Sequence, residues 1–358
     1  MFSPEKPTIR DISKELGLAI STISMALKNH PRISADTRKK VQAKAKQMGY
    51  VPDPRLSSVM SNLKRKKADR LVAGLAYVIP SLQFDDSHKH SIFRSFYEGA
   101  KSRAEELGYR LESFNLRQDH ITGSRLVSIL RNRGIEGIVI SPIFDGGKKL
   151  DFDWSHLSAI AFGHSVVDAG MNRVSFDQFH AVFHSLKSMA RLGYRRIGVV
   201  MPGNADDRMH NLSLGGLAAF RTESPKQEIV PIFEGIDRRK FLHWFRKHKP
   251  DALLCHGLNW AKILHEEEVN CPEDYGYATL EFDAQNAQRA EFEDTDFQQQ
   301  FARVSGMNQG SHYIGGLAVE LLAQDLSLNL KGPSPRPKTT LVEGAWVPGQ
   351  TLRKVTAE

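Results

Sequence analysis

Cysteine is nearly absent: two residues, Cys255 and Cys271, in 358. Their spacing makes neither a C-x-x-C pair nor a zinc set, so no disulfide framework or structural metal is expected, and both read as reduced thiols. The start of the chain shows no positively charged segment followed by an apolar one. The longest apolar run, around Leu71 to Pro80, is only strand-length. Export and membrane insertion are therefore not expected, and the reading is a cytoplasmic protein. The glycine-rich phosphate loop, G-x-G-x-x-G, H-E-x-x-H and zinc-finger patterns are missing as well. The nearest catalytic look-alike is Gly163-His164-Ser165-Val166-Val167. A nucleophile elbow needs glycine two residues beyond the serine so that the tight turn can close, and Val167 stands there. A serine hydrolase is thus a remote alternative, and no enzyme, cofactor or metal site is expected.

Acidic excess is also missing, and the basic excess is unevenly placed. Residues 1–70 hold 16 Lys/Arg against 6 Asp/Glu, a net +10, whereas the other 288 hold 33 against 35, a net −2. Basic charge concentrated in one segment suits contact with phosphate, which dominates nucleic-acid affinity. A chain of this length exceeds one ordinary domain and buries roughly three quarters of its unfolded surface.

The basic segment contains three short helical patterns between Pro7 and Tyr50. Thr8 caps the first with Asp11 three residues on, and Ile9, Ile12 and Leu16 fall on one face. Gly17 ends that helix. The next helix turns Ile23, Ala26 and Leu27 inward and Ser21, Thr22, Ser24, Met25 and Lys28 outward. Ser34 caps a third helix ending at Gly49, whose Val41, Ala45 and Met48 close a small core. Two helices joined across a tight glycine turn, the second polar on its outer face, form a helix-turn-helix.

This segment resembles the DNA-binding headpiece of the lactose repressor/purine repressor (LacI/GalR) family of bacterial transcription factors. The matching residues are Thr8, Asp11, Ile12, Gly17, Ser21 to Ser24, Leu27, Asn29, Ser34, Thr37, Arg38, Val41, Gly49, Tyr50 and Pro52, in order and without insertion. The resemblance implies that Ile20, Ser21 and Met25 read bases, while Thr8, Thr22, Ser24 and Asn29 hold the DNA backbone. Where many relatives have arginine, Met25 cannot make the bidentate guanine contact, but it can touch a thymine methyl. Ala19 stands where the family caps this helix with serine, a loss of about 1 kcal/mol. Beyond Pro52 and Pro54, Leu56, Val59, Met60 and Leu63 recur at helical spacing beside Lys64 to Lys67. In the family this is the hinge helix, and its minor-groove wedge falls on Val59, with Met60 as the neighbouring candidate.

From Leu71 onward, apolar strands alternate with amphipathic helices. The pattern predicts strands at 71–79, 109–115, 137–140, 159–162, 197–201, 228–233, 252–255, 275–280 and 339–343. Helices are predicted at 92–107, 122–132, 178–192, 211–221, 238–248, 260–267 and 311–325. Helices at every second element imply parallel sheets covered on both faces, and two such series imply two similar lobes. Here the chain resembles the family's effector domain, of the type I periplasmic-binding-protein fold. EELGYRL, RLGYRRIGVV, GLAAF and EGAWVPGQTLR stand where the family has its counterparts.

The expected architecture is an all-α helix-turn-helix headpiece, 1–52, a hinge and linker, 53–70, and an α/β effector domain of two doubly wound lobes. The first lobe takes 71–174 with about 306–332, the second 175–305 with about 333–358. Ligands of such sheets bind off the carboxyl ends of strands, here between the lobes. The resemblance places Ile92, Phe93, Asp177, Arg208, His210 and Glu281 at the effector. It implies a homodimer that binds operator DNA, a small-molecule effector that is a sugar or derivative more than a purine, and transcriptional regulation, as a repressor. The alternative is a regulator of the same fold that has lost its effector.

Overall fold

The computed structural model describes residues 7–27, 30, 32–48, 50, 73–80, 92–143, 149–167, 170–201, 209–282 and 295–355. Three helices open the chain: α1 (Ile9–Leu16), α2 (Ile20–Leu27) and α3 (Ala35–Gln47). They close around Ile12, Ile23, Ala26, Val41 and Ala45, with Leu16, Leu27 and Met48 packed against them. Among the described residues this cluster is separate from the cores of the lobes.

The first sheet runs β12 (Thr339–Val342), β5 (Asn172–Phe176), β4 (Ser158–Phe162), β3 (Gly137–Ile140), β1 (Ala73–Ile79) and β2 (Tyr109–Asn115). Every pairing in it is parallel. Parallel strands covered by helices on both faces are buried on both faces, which is why the last five residues of β1 are all buried. The helices are α4 (Ile92–Glu106), α5 (Gly123–Asn132) and, from much later in the chain, α11 (Ser311–Ser327).

Helices α4 and α11 pack at near backbone contact. A Cβ added at Gly99 would stand 1.8 Å from the His312 carbonyl oxygen, and one at Gly315 2.1 Å from that of Phe96. Only glycine allows this approach, and it seats the start of α4 at the mouth of the inter-lobe cleft.

The second sheet runs β13 (Ala345–Val347), β11 (Ser305–Asn308), β10 (Gly276–Phe282), β9 (Ala252–Cys255), β6 (Arg196–Met201) and β7 (Glu228–Ile229), with β8 (Phe233–Glu234) also on β6. It is parallel apart from β13, which runs antiparallel to β11. Its helices are α6 (Gln178–Arg191), α7 (Leu212–Glu223), α8 (Arg238–His248), α9 (Asn259–Glu266) and α10 (Thr295–Phe301). The largest core cluster draws residues from both sheets, including Tyr77 and Phe162 from one and Leu254 and Met307 from the other.

Several expectations move. The expected strand 228–233 divides into β7 and β8, with Pro231 between them, because proline has no N–H for the ladder. Residues 333–358 do not all join the second lobe: Thr339–Val342 pairs with β5, at the edge of the first sheet. Nor does the return to the first lobe begin at 306, since Ser305–Asn308 pairs with β10. The first crossing comes after Phe176, not at 174, because β5 continues to that residue. The chain thus passes between lobes three times: after β5, between β11 and α11, and between β12 and β13.

Candidate functional site: an inter-lobe cleft and an exposed helix

The turn of the helix-turn-helix is built by Ser13 and Gly17. Gly17 adopts φ 63°, a left-handed conformation that an L side chain rarely takes, and its N–H donates to the Ser13 carbonyl. The Ser13 hydroxyl donates to the Leu18 carbonyl at 2.6 Å, tying the far side of the turn. At the start of α1 the Asp11 carboxylate accepts from the Thr8 N–H at 2.8 Å and from the Thr8 hydroxyl at 2.6 Å. Those bonds hold the Asp11 pKa below the usual carboxylate value. They also engage the hydroxyl proton that Thr8 would give a DNA phosphate, so that contact requires the hydroxyl to turn.

Helix α2 buries Ile23 and Ala26 and leaves Ile20 49% exposed. Ser21 is exposed, whereas Thr22, Ser24 and Met25 are half-buried. The expected base-reading residues therefore share the outer part of one short helix. The Ala19 carbonyl accepts from the Ile23 N–H at 3.1 Å, and alanine adds no side-chain cap. Asn29, Val59 and Met60 lie outside the described residues.

Between the lobes lies a cavity of about 140 Å³, lined at the carboxyl ends of β4, β5, β9 and β10 and by the first turns of α4. Ile92, Phe93 and Glu281 line it. The Glu281 carboxylate stands 3.6 Å from Nδ1 of His256, which also faces the cavity. His256 occupies the loop after β9.

Asp177 is turned elsewhere. Its Oδ1 accepts from the His180 N–H at 2.9 Å and caps α6, while its own N–H donates to the Val342 carbonyl at 2.9 Å. It does not line the cavity; Phe176 and Gln178 on either side of it do. A short aspartate opening a helix satisfies an otherwise orphaned N–H, and here that role takes the carboxylate. His210 is also absent from the lining, but Met209 is present, and the His210 ring packs against His164 at 4.3 Å between centroids. His210 and Asn211 both have positive φ, 55° and 56°, immediately before α7. Two successive non-glycine residues in that region mark a backbone held in place by its surroundings. Arg208 lies outside the described residues.

In the sequence His164 drew notice only as part of the Gly163–Val167 look-alike. It lines the cavity half-buried, and neither ring nitrogen has a hydrogen-bond partner among the described residues. Burial, with His210 and Arg173 nearby, pushes its pKa down to about 4. Gln178 Oε1 and His256 Nε2 are likewise buried without a partner among the described residues. Buried polar groups are normally satisfied, so several orphaned atoms in one cavity point to a ligand or water that completes them. The signal available in the sequence was position: a polar residue directly after an apolar strand in a parallel sheet. Ser165 lines the same cavity. Its Oγ is buried and accepts from the Ile143 N–H at 2.8 Å.

A compact three-helix domain with an exposed second helix, followed by two parallel-sheet lobes around a cleft, is the architecture of a periplasmic-binding-protein-like domain joined to a helix-turn-helix. A family model described as bacterial regulatory proteins, lacI family, matches residues 8–53. A second, described as periplasmic binding proteins and sugar binding domain of LacI family, matches residues 77–239. An HTH-type transcriptional regulator of Mycobacterium tuberculosis is 26% identical over 238 residues, covering 64% of this chain and 62% of the relative. That alignment and those with two Bacillus subtilis regulators span 62, 54 and 64% of the relatives' lengths, so this chain matches less than two thirds of each.

Among solved structures, the lac repressor dimer bound to operator and the anti-inducer ONPF superposes with a TM-score of 0.55 at 16% identity, covering 97% of this chain and 99% of that one. The transcriptional regulator CelR–cellobiose complex gives 0.54 at 16%, covering 96% and 99%. At those identities the likeness shows the fold. The chain belongs to the LacI family of bacterial regulatory proteins. Among the described residues no helix is long and apolar enough to cross a membrane.

Proposed function

We propose that this protein is a sequence-specific DNA-binding transcriptional regulator, acting as a repressor, whose grip on its operator is set by a small molecule between the lobes. One observation carries the reading: a single chain joins a helix that exposes Ile20 and Ser21, with Met25 half-buried one turn on, to a cleft containing buried polar atoms without a partner among the described residues. The first feature suits a major groove, and the second suits a polar ligand. Thr8, Thr22, Ser24 and the N–H groups opening α2 set orientation on phosphate, while the three outward residues specify sequence.

A homodimer places two such helices one turn of DNA apart on a two-fold operator. The triple passage of the chain between lobes is what lets a ligand act at a distance. Closing the cleft shifts the sheets relative to each other, and all three crossings must follow. Nothing in this scheme requires chemistry on the ligand, so the protein is read as non-enzymatic. A sugar or sugar derivative fits the family model that matches the lobes better than a purine does.

The test is a selection of full-length protein on randomised duplexes at moderate salt, followed by titration of the selected site with and without candidate ligands. Sequence preference over random duplex is expected. A ligand that changes operator affinity must have its own affinity changed by operator by the same factor. Equal binding to every duplex under all these conditions overturns the reading.

A further inference from the structure

Helix α6 carries two histidines one turn apart, His180 and His184, with Ala181, Val182 and Phe183 between them. Residues four apart lie on the same face of a helix. The two rings are stacked, 4.1 Å between centroids with their planes 26° apart. Among the described residues their hydrogen bonds are made by backbone atoms, the His180 N–H to Asp177 and the His184 carbonyl from Ser188, which leaves the ring nitrogens uncommitted. A third group arrives from a distant part of the chain. The Glu343 carboxylate stands 3.9 Å from Nδ1 of His180, and it is also one of the charges acting on His184.

Two imidazoles at i and i+4 have the spacing with which a metal-binding helix holds zinc. Imidazole favours zinc, nickel and copper, whereas magnesium and calcium take all-oxygen sets. Ala181 stands where the H-E-x-x-H motif has its general base, so the pair suits holding an ion and not catalysis on it. Ligands of one tetrahedral zinc, each about 2.0–2.2 Å from the ion, are about 3.3 Å apart. The side chains stand wider than that, and no three such groups among the described residues are already gathered around one point. What must change is side-chain rotation, for which Glu343, with its side chain 73% exposed, has room. The backbone beside it is held firmly. A Cβ on Gly344 would stand 2.8 Å from side-chain atoms of both Met307 in β11 and Phe176 in β5.

We propose that His180, His184 and Glu343 form a site for one divalent transition-metal ion of the zinc, nickel and copper class. The site joins two of the three lobe crossings. Helix α6 begins directly after the first, and Glu343 lies in the two-residue link between β12 and β13 that makes the third. A bound ion ties those crossings together and resists any lobe movement that separates them. None of the three residues lines the inter-lobe cavity, so the site is independent of what the cleft binds.

The experiment uses full-length protein without a histidine tag, stripped with a chelator and titrated with zinc or magnesium by calorimetry at pH 7. One zinc per chain is expected, with magnesium weaker by at least about tenfold. His180→Gln, His184→Gln and Glu343→Gln are each expected to weaken zinc by about tenfold or more. Zinc should raise the melting temperature of the wild type and raise that of each variant less, because it binds the native state. His184 and Glu343 are exposed, so their variants should melt with the wild type in chelator, which separates a lost ligand from a lost fold. No zinc binding by the wild type, magnesium bound as tightly as zinc, or undiminished zinc affinity in any of the three variants overturns the proposal.

Discussion

The ring of His164, just beyond the end of β4 in the first lobe, lies 4.3 Å from that of His210, just ahead of α7 in the second, with the planes tilted by 35°. Two histidines from different lobes therefore meet beside the cleft, and His210 is one of the neighbours that hold the His164 pKa down. Arg173 adds a positive group close to His164, its Nη1 donating to the Gly163 carbonyl at 3.4 Å.

The burial of His164 makes stability pH-dependent with a definite sign. His164 titrates near 6.5 when unfolded and near 4 when folded, because burial and its neighbours oppose its charge. Between those values the unfolded chain binds more protons, so the contribution is fully present above about 6.5 and is lost as pH falls toward about 4. The melting temperature is expected to drop across that window, and less so in His164→Gln. Identical pH profiles for the two proteins would remove His164 from the account.

Asp177 tests cap against ligand contact. Asp177→Ala removes the acceptor of the His180 N–H and is expected to cost about 1 kcal/mol of stability. Asp177→Asn, which retains a side-chain oxygen, should recover most of it. Ligand affinity, measured by calorimetry, should stay within about twofold in both, because the residue does not line the cavity. A collapse of affinity at unchanged stability would return Asp177 to the binding site.

Gly99→Ala probes the close approach of α4 and α11. The new methyl would stand 1.8 Å from the His312 carbonyl oxygen, so one helix must move. Overpacking of this kind costs about 1–3 kcal/mol. Because α4 carries Ile92, Phe93 and Phe96 into the cleft, ligand affinity should fall with the melting temperature. Gly17→Ala, strained through φ alone with nothing near its Cβ, should instead weaken only the headpiece and its DNA binding.

Met25→Arg addresses the DNA side. Arginine can make the bidentate contact to guanine that methionine cannot, worth about 1–3 kcal/mol of discrimination. Selection from randomised operators should then recover guanine at one position of each half-site. Unchanged base preference at every position would move the reading residue elsewhere on α2.

The headpiece was legible because its information is local. Thr8 with Asp11, Gly17, and Ser34 as the acceptor of the Thr37 N–H are cap and turn signals within a few residues of what they control. The alternation of strands and helices was legible for the same reason. The missed strands, Asn172–Phe176, Ser305–Asn308 and Ala345–Val347, are three to five residues long, and their edges are set by the neighbour they pair with. Within the cleft, Ile92, Phe93 and Glu281 stood where family position put them. Asp177 did not, because a carboxylate can cap a helix or face a ligand, and only the backbone geometry after β5 decides between them.

What the amino-acid order settled unaided was the kind of molecule: a basic three-helix reader followed by an α/β body of two repeating halves, since both follow from periodicity, caps and charge along the chain. Which segment belongs to which lobe was decided in three dimensions, where residues 339–342 dock on the first sheet and 345–347 on the second across a two-residue link. So was the meeting of His164 with His210, and the placing of Glu281 and Phe93 on the wall of one cavity. Contacts of that range depend on how strands order themselves within a sheet, a cooperative outcome that no local window of residues contains.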